Sequence, residues 1–279
     1  NVFMVSLVWG THALPVYWEV LKQVGNSDLN TQKRLLKVVL PLFQTYRVLV
    51  LGDREFHSPK LAQWLSQRGV SFALRQKKDF HFQEAEQENY QVLKDLGFKP
   101  GMSKFYQGIR CNKGDGIGPF HLALYWKRKY HNAGAKEPWY ILTNLPTLKQ
   151  ALAVYRCRWG IEQMFKDCKT AGYHLEDTKV NDTRFLALVL LIAIAYSLAT
   201  LHGQKMRQLG IDIYTGRINE HKDKTLRQSD FSLGLYGQRW IYGMELWHDW
   251  VLRLIALKPH KWLYFQRGFY ALSLMQQAL

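Results

Sequence analysis

The sequence predicts a mixed α/β fold, and three observations predict it. Short apolar runs bounded by turn residues alternate with amphipathic stretches over residues 2–75. Val48 to Leu51 is continuously apolar and stops at Gly52-Asp53, as a strand buried on both faces does. The chain has 279 residues, 47% of them hydrophobic, enough for a sizeable core and one to two domains.

The elements follow in order. VFMVSLVW (2–9) and ALPVYWEV (13–20) flank Gly10-Thr11-His12 and read as an antiparallel hairpin. GNSDLN (25–30) is a loop carrying helix-start residues. TQKRLLKVVLPLF (31–43) is amphipathic, with Leu35, Leu36, Val39 and Leu40 on one side; Pro41 disturbs its C-terminal half. YRVLVLGDREF (46–56) is the strand that ends at Asp53, and in open α/β sheets chemistry gathers beyond such strand ends. SPKLAQWLSQRG (58–69) is a helix with Ser58 as N-cap and Pro59 at its first position. VSFALR (70–75) is another strand.

Residues 76–138 change character. QKKDFHFQEAEQENY (76–90) is polar, and a Gly-rich NKGDGIGP (112–119) separates two strand-like runs, KFYQGIRC (104–111) and FHLALYWKRKY (120–130). This reads as a β-rich insertion. Its acidic group Glu84, Glu86 and Glu88 with His81 fits a solvated face better than a metal site, and YWKRKYH (125–131) fits a DNA contact or an ordinary basic strand equally. PWYILTNL (138–145) returns to a buried strand. A helix is expected from about Thr147 to Thr170, and the remainder is mostly helical.

That helix carries YRCRWGIEQMFKDCKTAG (155–172). At about 100° per residue, Arg158, Glu162 and Lys169 fall at roughly −60°, −20° and −40° from Tyr155. A continuous helix therefore points all four side chains one way. The stripe is polar and holds one acid among cations, so it meets something outside the helix. An i,i+4 ion pair of Glu162 with Arg158 or Lys166 is the simpler alternative. It leaves Tyr155 and Lys169 unexplained.

The net charge of +16 favours a polyanionic partner, nucleic acid first and an anionic membrane surface second. Cys111, Cys157 and Cys168 form no C-x-x-C pair, which fits a reducing cytoplasm and neither a disulfide framework nor a zinc site. FLALVLLIAIAYSLATL (185–201) is at the lower limit for spanning a bilayer and reads as a buried core helix. The chain opens on Asn1 inside an apolar run, so we expect a fragment whose natural N-terminus is missing.

Tyr155, Arg158, Glu162 and Lys169 match the Tyr-x2-Arg-x3-Glu-x6-Lys (YREK) signature of bacterial insertion-sequence DDE transposases. GDREF around Asp53 resembles the second catalytic segment of that family, and YILTNL and GYHLED resemble its flanking segments. The resemblance covers nearly the whole chain. It implies a ribonuclease-H-like mixed sheet with flanking helices: a core of residues 1–75 and 139–209, the β-rich insertion 76–138, and a helical C-terminal region 210–279. It also implies cut-and-paste transposition by phosphoryl transfer at two Mg²⁺ (or Mn²⁺) ions. Asp53 and Glu162 would be metal ligands and catalytic acids. Arg158, Lys169 and Tyr155 would contact DNA, with Tyr155 bonding a phosphate or stacking near a displaced base. The partners implied are double-stranded DNA (terminal inverted repeats and target) and a second copy in a homodimer, with no membrane. The location implied is the cytoplasm, at the nucleoid when bound. Basic residues of KTLRQSDFSLGLYGQRW (224–240), similar to the tail of the family, either touch DNA or form a solvated face.

One departure stands out. The family uses three acids, the first on a strand preceding a segment similar to residues 1–20. Glu19 and Asp28 are the only acids before Asp53, and neither replaces it. The expectation is an inactive fragment, with either a gap beside the Asp53 strand or direct approach of Val2–Trp9 to Val48–Leu51. A catalytically dead DNA-binding remnant and a metal-dependent nuclease are the alternatives.

Overall fold

The computed structural model describes residues 2–21, 27–85, 87–112, 114, 116–128, 137–171, 173, 180–212 and 228–278. Glu86, residues 129–131, most of GYHLED and Lys224 to Arg227 lie outside the described residues. The chain divides into two units, Asn1–Glu162 and Gln163–Leu279.

In the first unit, β1 (Val2–Trp9) and β2 (His12–Val20) pair antiparallel down to Trp9 and His12. Gly10 turns the chain at φ +59°, which costs glycine no Cβ clash. α1 (Leu29–Val39) starts at Asp28, whose carboxylate accepts from the Thr31 amide at 2.7 Å, and it buries Leu35, Leu36 and Val39. Pro41 falls in a 3-10 turn, Leu40–Phe43, because it has no N–H to continue the α-helical ladder.

β3 (Leu49–Gly52) leads through α2 (Pro59–Ser66) to β4 (Ser71–Arg75), which runs parallel to it. β5 (His81–Gln83), β6 (Gln91–Val92), β7 (Ser103–Cys111), β8 (Ile117–Tyr125) and β9 (Trp139–Thr143) complete a seven-stranded mixed sheet ordered β3-β4-β9-β8-β7-β5-β6. The strands between residues 76 and 138 thus extend the same sheet as β3 and β4. Alternation sorts its faces. Phe72, Leu74, Leu122 and Leu142 pack with Leu61 and Leu65 of α2, while Ala73, Ala123 and Ile141 pack with Ala151, Leu152 and Tyr155 of α3 (Leu148–Arg156).

One expectation is corrected here. β3 is at the sheet edge, and Leu49 to Leu51 are half-buried; an apolar run alone does not distinguish a central strand from an edge strand covered by neighbouring side chains. The hairpin forms its own two-stranded sheet and β1 does not pair with β3, in keeping with the expected gap beside the Asp53 strand.

A further correction concerns the helix after residue 147. α3 ends at Arg156, α4 (Trp159–Lys166) begins after a break at Cys157-Arg158, and residues Asp167–Ala171 form a π-turn. The helix is not continuous, so the four-residue stripe does not form along it.

In the second unit, α5 (Asp182–Gln208) is capped by Asn181, which accepts from the Arg184 amide at 3.0 Å. α6 (Asp230–Leu257) and α7 (Trp262–Ala278) follow. Two glycines set how closely α5 and α6 approach: a Cβ on Gly203 would lie 1.8 Å from the Asp230 carbonyl oxygen, and one on Gly234 1.8 Å from that of Ala199. Arg207 ties the two helices with a 2.7 Å bond to Asp230. Among the described residues one helix, Thr183–Gln208, is long and apolar enough to cross a membrane, a test that a core helix also passes. The expected full burial of this segment is not found. Tyr196 and Thr200 are buried, but Leu190, Leu191, Ile194 and Leu198 are exposed on its other side.

Candidate active site

Asp53 leaves the C-terminal end of β3 and enters a 3-10 turn, Arg54–Phe56. Its carboxylate accepts from the Glu55 amide at 2.9 Å, which fixes its direction, and it stays exposed. The turn is tied to the start of α1. Glu55 accepts from the Ser27 amide at 2.6 Å and from its hydroxyl at 2.5 Å, and Gln32 donates to the Glu55 carbonyl at 3.4 Å. Gly52 leaves no room for a side chain, since a Cβ there would lie 2.6 Å from Phe56 Cβ and 2.8 Å from Leu74 Cδ2. The GDREF stretch is therefore a rigid mount for one exposed carboxylate.

The second carboxylate, Glu162, is on the first turn of α4 and is exposed. The break before α4 puts Arg158 one turn upstream, where it donates to Glu162 at 2.5 Å. Arg158 is much less exposed than its partner, 17% against 42%. Its guanidinium lies 5.6 Å from the Tyr155 ring centre. Burial opposes its charge, but Tyr155, the hydrogen bond to Glu162 and the charges of Glu162 and Asp53 more than offset that, so its pKa is raised. The Arg158 guanidinium is thus hydrogen-bonded to Glu162, and the Asp53 charge adds a smaller pull.

Tyr155 is 2% exposed, and its buried hydroxyl makes no hydrogen bond of good geometry. Burial raises its pKa, and the charge of Asp53 adds to this against the pull of Arg158 and Arg75. Its ring meets Trp139 edge-on at 5.1 Å. Trp139, Tyr155, Arg156, Arg158 and Trp159 line a cavity of about 250 Å³, and Trp159 is 65% exposed beside it.

Arg75 is a residue that the sequence did not single out. Gly52 pairs with Leu74 in the parallel register, and Arg75 ends β4 one residue on. Burial lowers its pKa, and the charges of Arg54 and Arg158 add to that. It donates to the Pro138 carbonyl at 3.2 Å and shares Glu137 with Arg54. A lone Arg at a strand end carries no sequence signal; only the β3–β4 pairing places it.

Lys169 belongs to the second unit, in the π-turn, and is exposed. Two positions before it, Asp167 is 1% exposed. Gln163 donates to one of its oxygens at 2.9 Å, and the other is buried without a hydrogen bond. Burial pushes its pKa up to about 6, against the Gln163 hydrogen bond and the Lys166 charge.

Two divalent ions need several oxygen ligands held together. Among the described residues no group of three or more His, Cys, Asp and Glu side chains is placed to hold a metal ion. One of the two carboxylates is already ion-paired. This donor set does not fit a two-ion centre.

A family model described as the transposase DDE domain matches residues 1–198. No curated protein matches the sequence.

Proposed function

The chain belongs to the transposase DDE domain family, whose members carry out metal-dependent DNA strand transfer, and from that premise we propose that Asp53, Arg158 and Glu162 are its DNA-facing centre. The single observation behind this reading is the exposed ion pair of Arg158 with Glu162 at 2.5 Å at the start of α4, in the same unit as the exposed Asp53 carboxylate at the end of β3. Arg158 and Lys169 bind backbone phosphates, a role that fixes position and not sequence. Tyr155 works from beneath, holding the Arg158 guanidinium over its ring, and its edge helps line the cavity. That cavity, with Trp139 and Trp159, suits a phosphate or a displaced base.

In this reading Asp53 and Glu162 are two of the acids of the family's centre, and no third acid stands with them among the described residues. The 279 residues bind DNA without cutting it. Cut-and-paste transposition at terminal inverted repeats, a homodimer bridging two ends and action at the nucleoid belong to the same proposal. So does the division into a core (1–75 and 139–209), an insertion (76–138) and a C-terminal region (210–279).

Fluorescence anisotropy with a labelled DNA duplex at increasing KCl tests the DNA-binding half. Binding should weaken linearly in log salt, and Arg158→Ala or Lys169→Ala should each reduce that slope by about 1. Binding that is absent, or indifferent to salt and to both substitutions, contradicts it.

A further inference from the structure

We propose that the outer face of α1 and α2 is a second DNA-binding surface, which grips the backbone phosphates of a duplex at a cavity between Lys33 and Lys60, apart from Arg158. The inference rests on the transposase reading and adds a surface to it.

Charge placement motivates it. At the strand ends near Asp53 the cations already have partners: Arg158 pairs with Glu162, and Arg54 and Arg75 share Glu137. The excess behind the net charge of +16 lies elsewhere. Residues 29–47 and 58–69 hold Lys33, Arg34, Lys37, Arg47, Lys60 and Arg68 and no Asp or Glu. Arg34 is taken by Glu19 at 2.5 Å. A helix face that only meets water carries both signs interspersed; this one carries cations and amides.

The geometry makes a site of them. Leu61 and Leu65 of α2 pack on the sheet, so Lys60, Gln63 and Gln67, at i, i+3 and i+7, form its outer stripe. With Lys33 of α1, Trp64 and Ile117 they line a cavity of about 360 Å³. Its polar side chains all offer N–H donors, and no carboxylate lines it among the described residues. Arg68 follows the stripe; its guanidinium lies 4.0 Å from the Trp64 ring centre and donates to the Trp64 carbonyl at 3.1 Å, which holds that cation in place. Ammonium and amide donors grip phosphate oxygens without reading sequence. The stripe from Lys60 to Gln67 runs about 10 Å along the helix, longer than one free anion fills. α3, which leads to Arg158, packs on the opposite face of the sheet, and the two surfaces take different stretches of DNA.

Lysine acetylation by an activated ester, read residue by residue by mass spectrometry on the full chain, tests this. A short duplex at about twice its Kd should slow modification of Lys33 and Lys60 about threefold, as the reactive fraction falls with occupancy. Lys94, on the 3-10 turn Leu93–Leu96, should keep its rate, and inorganic phosphate should leave all three unchanged. Lys33→Gln/Lys60→Gln should reduce the slope of log affinity against log salt by about 2. The proposal is overturned if bound duplex leaves Lys33 and Lys60 as reactive as before, if it protects Lys94 equally, or if phosphate alone protects them. A salt slope that responds to Arg158→Ala but not to Lys33→Gln/Lys60→Gln overturns it too, and spares the Arg158 centre. Protection that persists while Arg158→Ala and Lys169→Ala change nothing removes that centre and leaves this surface standing. A chain that binds no duplex sinks both.

Discussion

Gly160 lies against the backbone of His12: a Cβ on Gly160 would be 2.7 Å from both the carbonyl carbon and the oxygen of His12. The hairpin turn therefore packs on the start of the helix that presents Glu162. Gly160→Ala should push the turn away and cost about 1–3 kcal/mol, read as a lower urea midpoint. An unchanged midpoint means that the contact holds nothing in place.

Glu162→Ala separates stability from binding. Glu162 is exposed and its pair with Arg158 lies near the surface, so the loss should stay within about 1 kcal/mol. DNA affinity should rise about threefold or more at low salt, because a carboxylate that competes with phosphate for Arg158 is gone. Anisotropy against the duplex reads this directly. A fall in affinity contradicts that competition.

How much of this was legible beforehand varies by residue. The hairpin, the Pro41 break, the strand ending at Asp53 and the Ser58–Pro59 helix start all followed from local patterning, because each depends on neighbours within a few positions. The break at Cys157-Arg158 did not, since Gly160 alone beside it disfavours a helix; Tyr155 before it packs with Ala73 and Ile141, and Glu162 after it is exposed. Arg75 was invisible for the opposite reason, as its place is set by pairing between strands and not by its own surroundings in sequence. Asp53 and Glu162 were singled out by the family resemblance, and the ion pair of Arg158 with Glu162 was already open from its i,i+4 spacing.

Asp167 makes the second unit sensitive to pH. Its pKa rises from 3.8 to about 6 on folding, so between those values the folded chain holds a proton that the unfolded chain has lost. Stability should therefore fall as pH rises from 3.8 to about 6, by up to about 3 kcal/mol if burial is complete, and level off above. Asp167→Asn should flatten that window. Thermal unfolding followed across it, wild type against variant, distinguishes the two profiles, and identical slopes would remove Asp167 as the cause.

The α5–α6 contact predicts opposite results at two kinds of helical glycine. Gly203→Ala and Gly234→Ala place a Cβ against backbone oxygens at 1.8 Å and should each cost about 2 kcal/mol or more. Gly243 in α6 meets nothing within 4 Å, and Gly243→Ala should stabilise by about 0.5–1 kcal/mol. Chemical denaturation of the three variants gives the ranking, and equal effects would mean that the helices do not depend on this close approach.

The central claim is that this chain, with Glu162 paired to Arg158, binds DNA through its cations but does not cut it. Incubating the full chain with supercoiled plasmid and Mn²⁺, and measuring conversion to the nicked form, tests it most directly. The account predicts no nicking above that of an Asp53→Asn/Glu162→Gln variant. Nicking by the wild-type chain that this variant abolishes would contradict it.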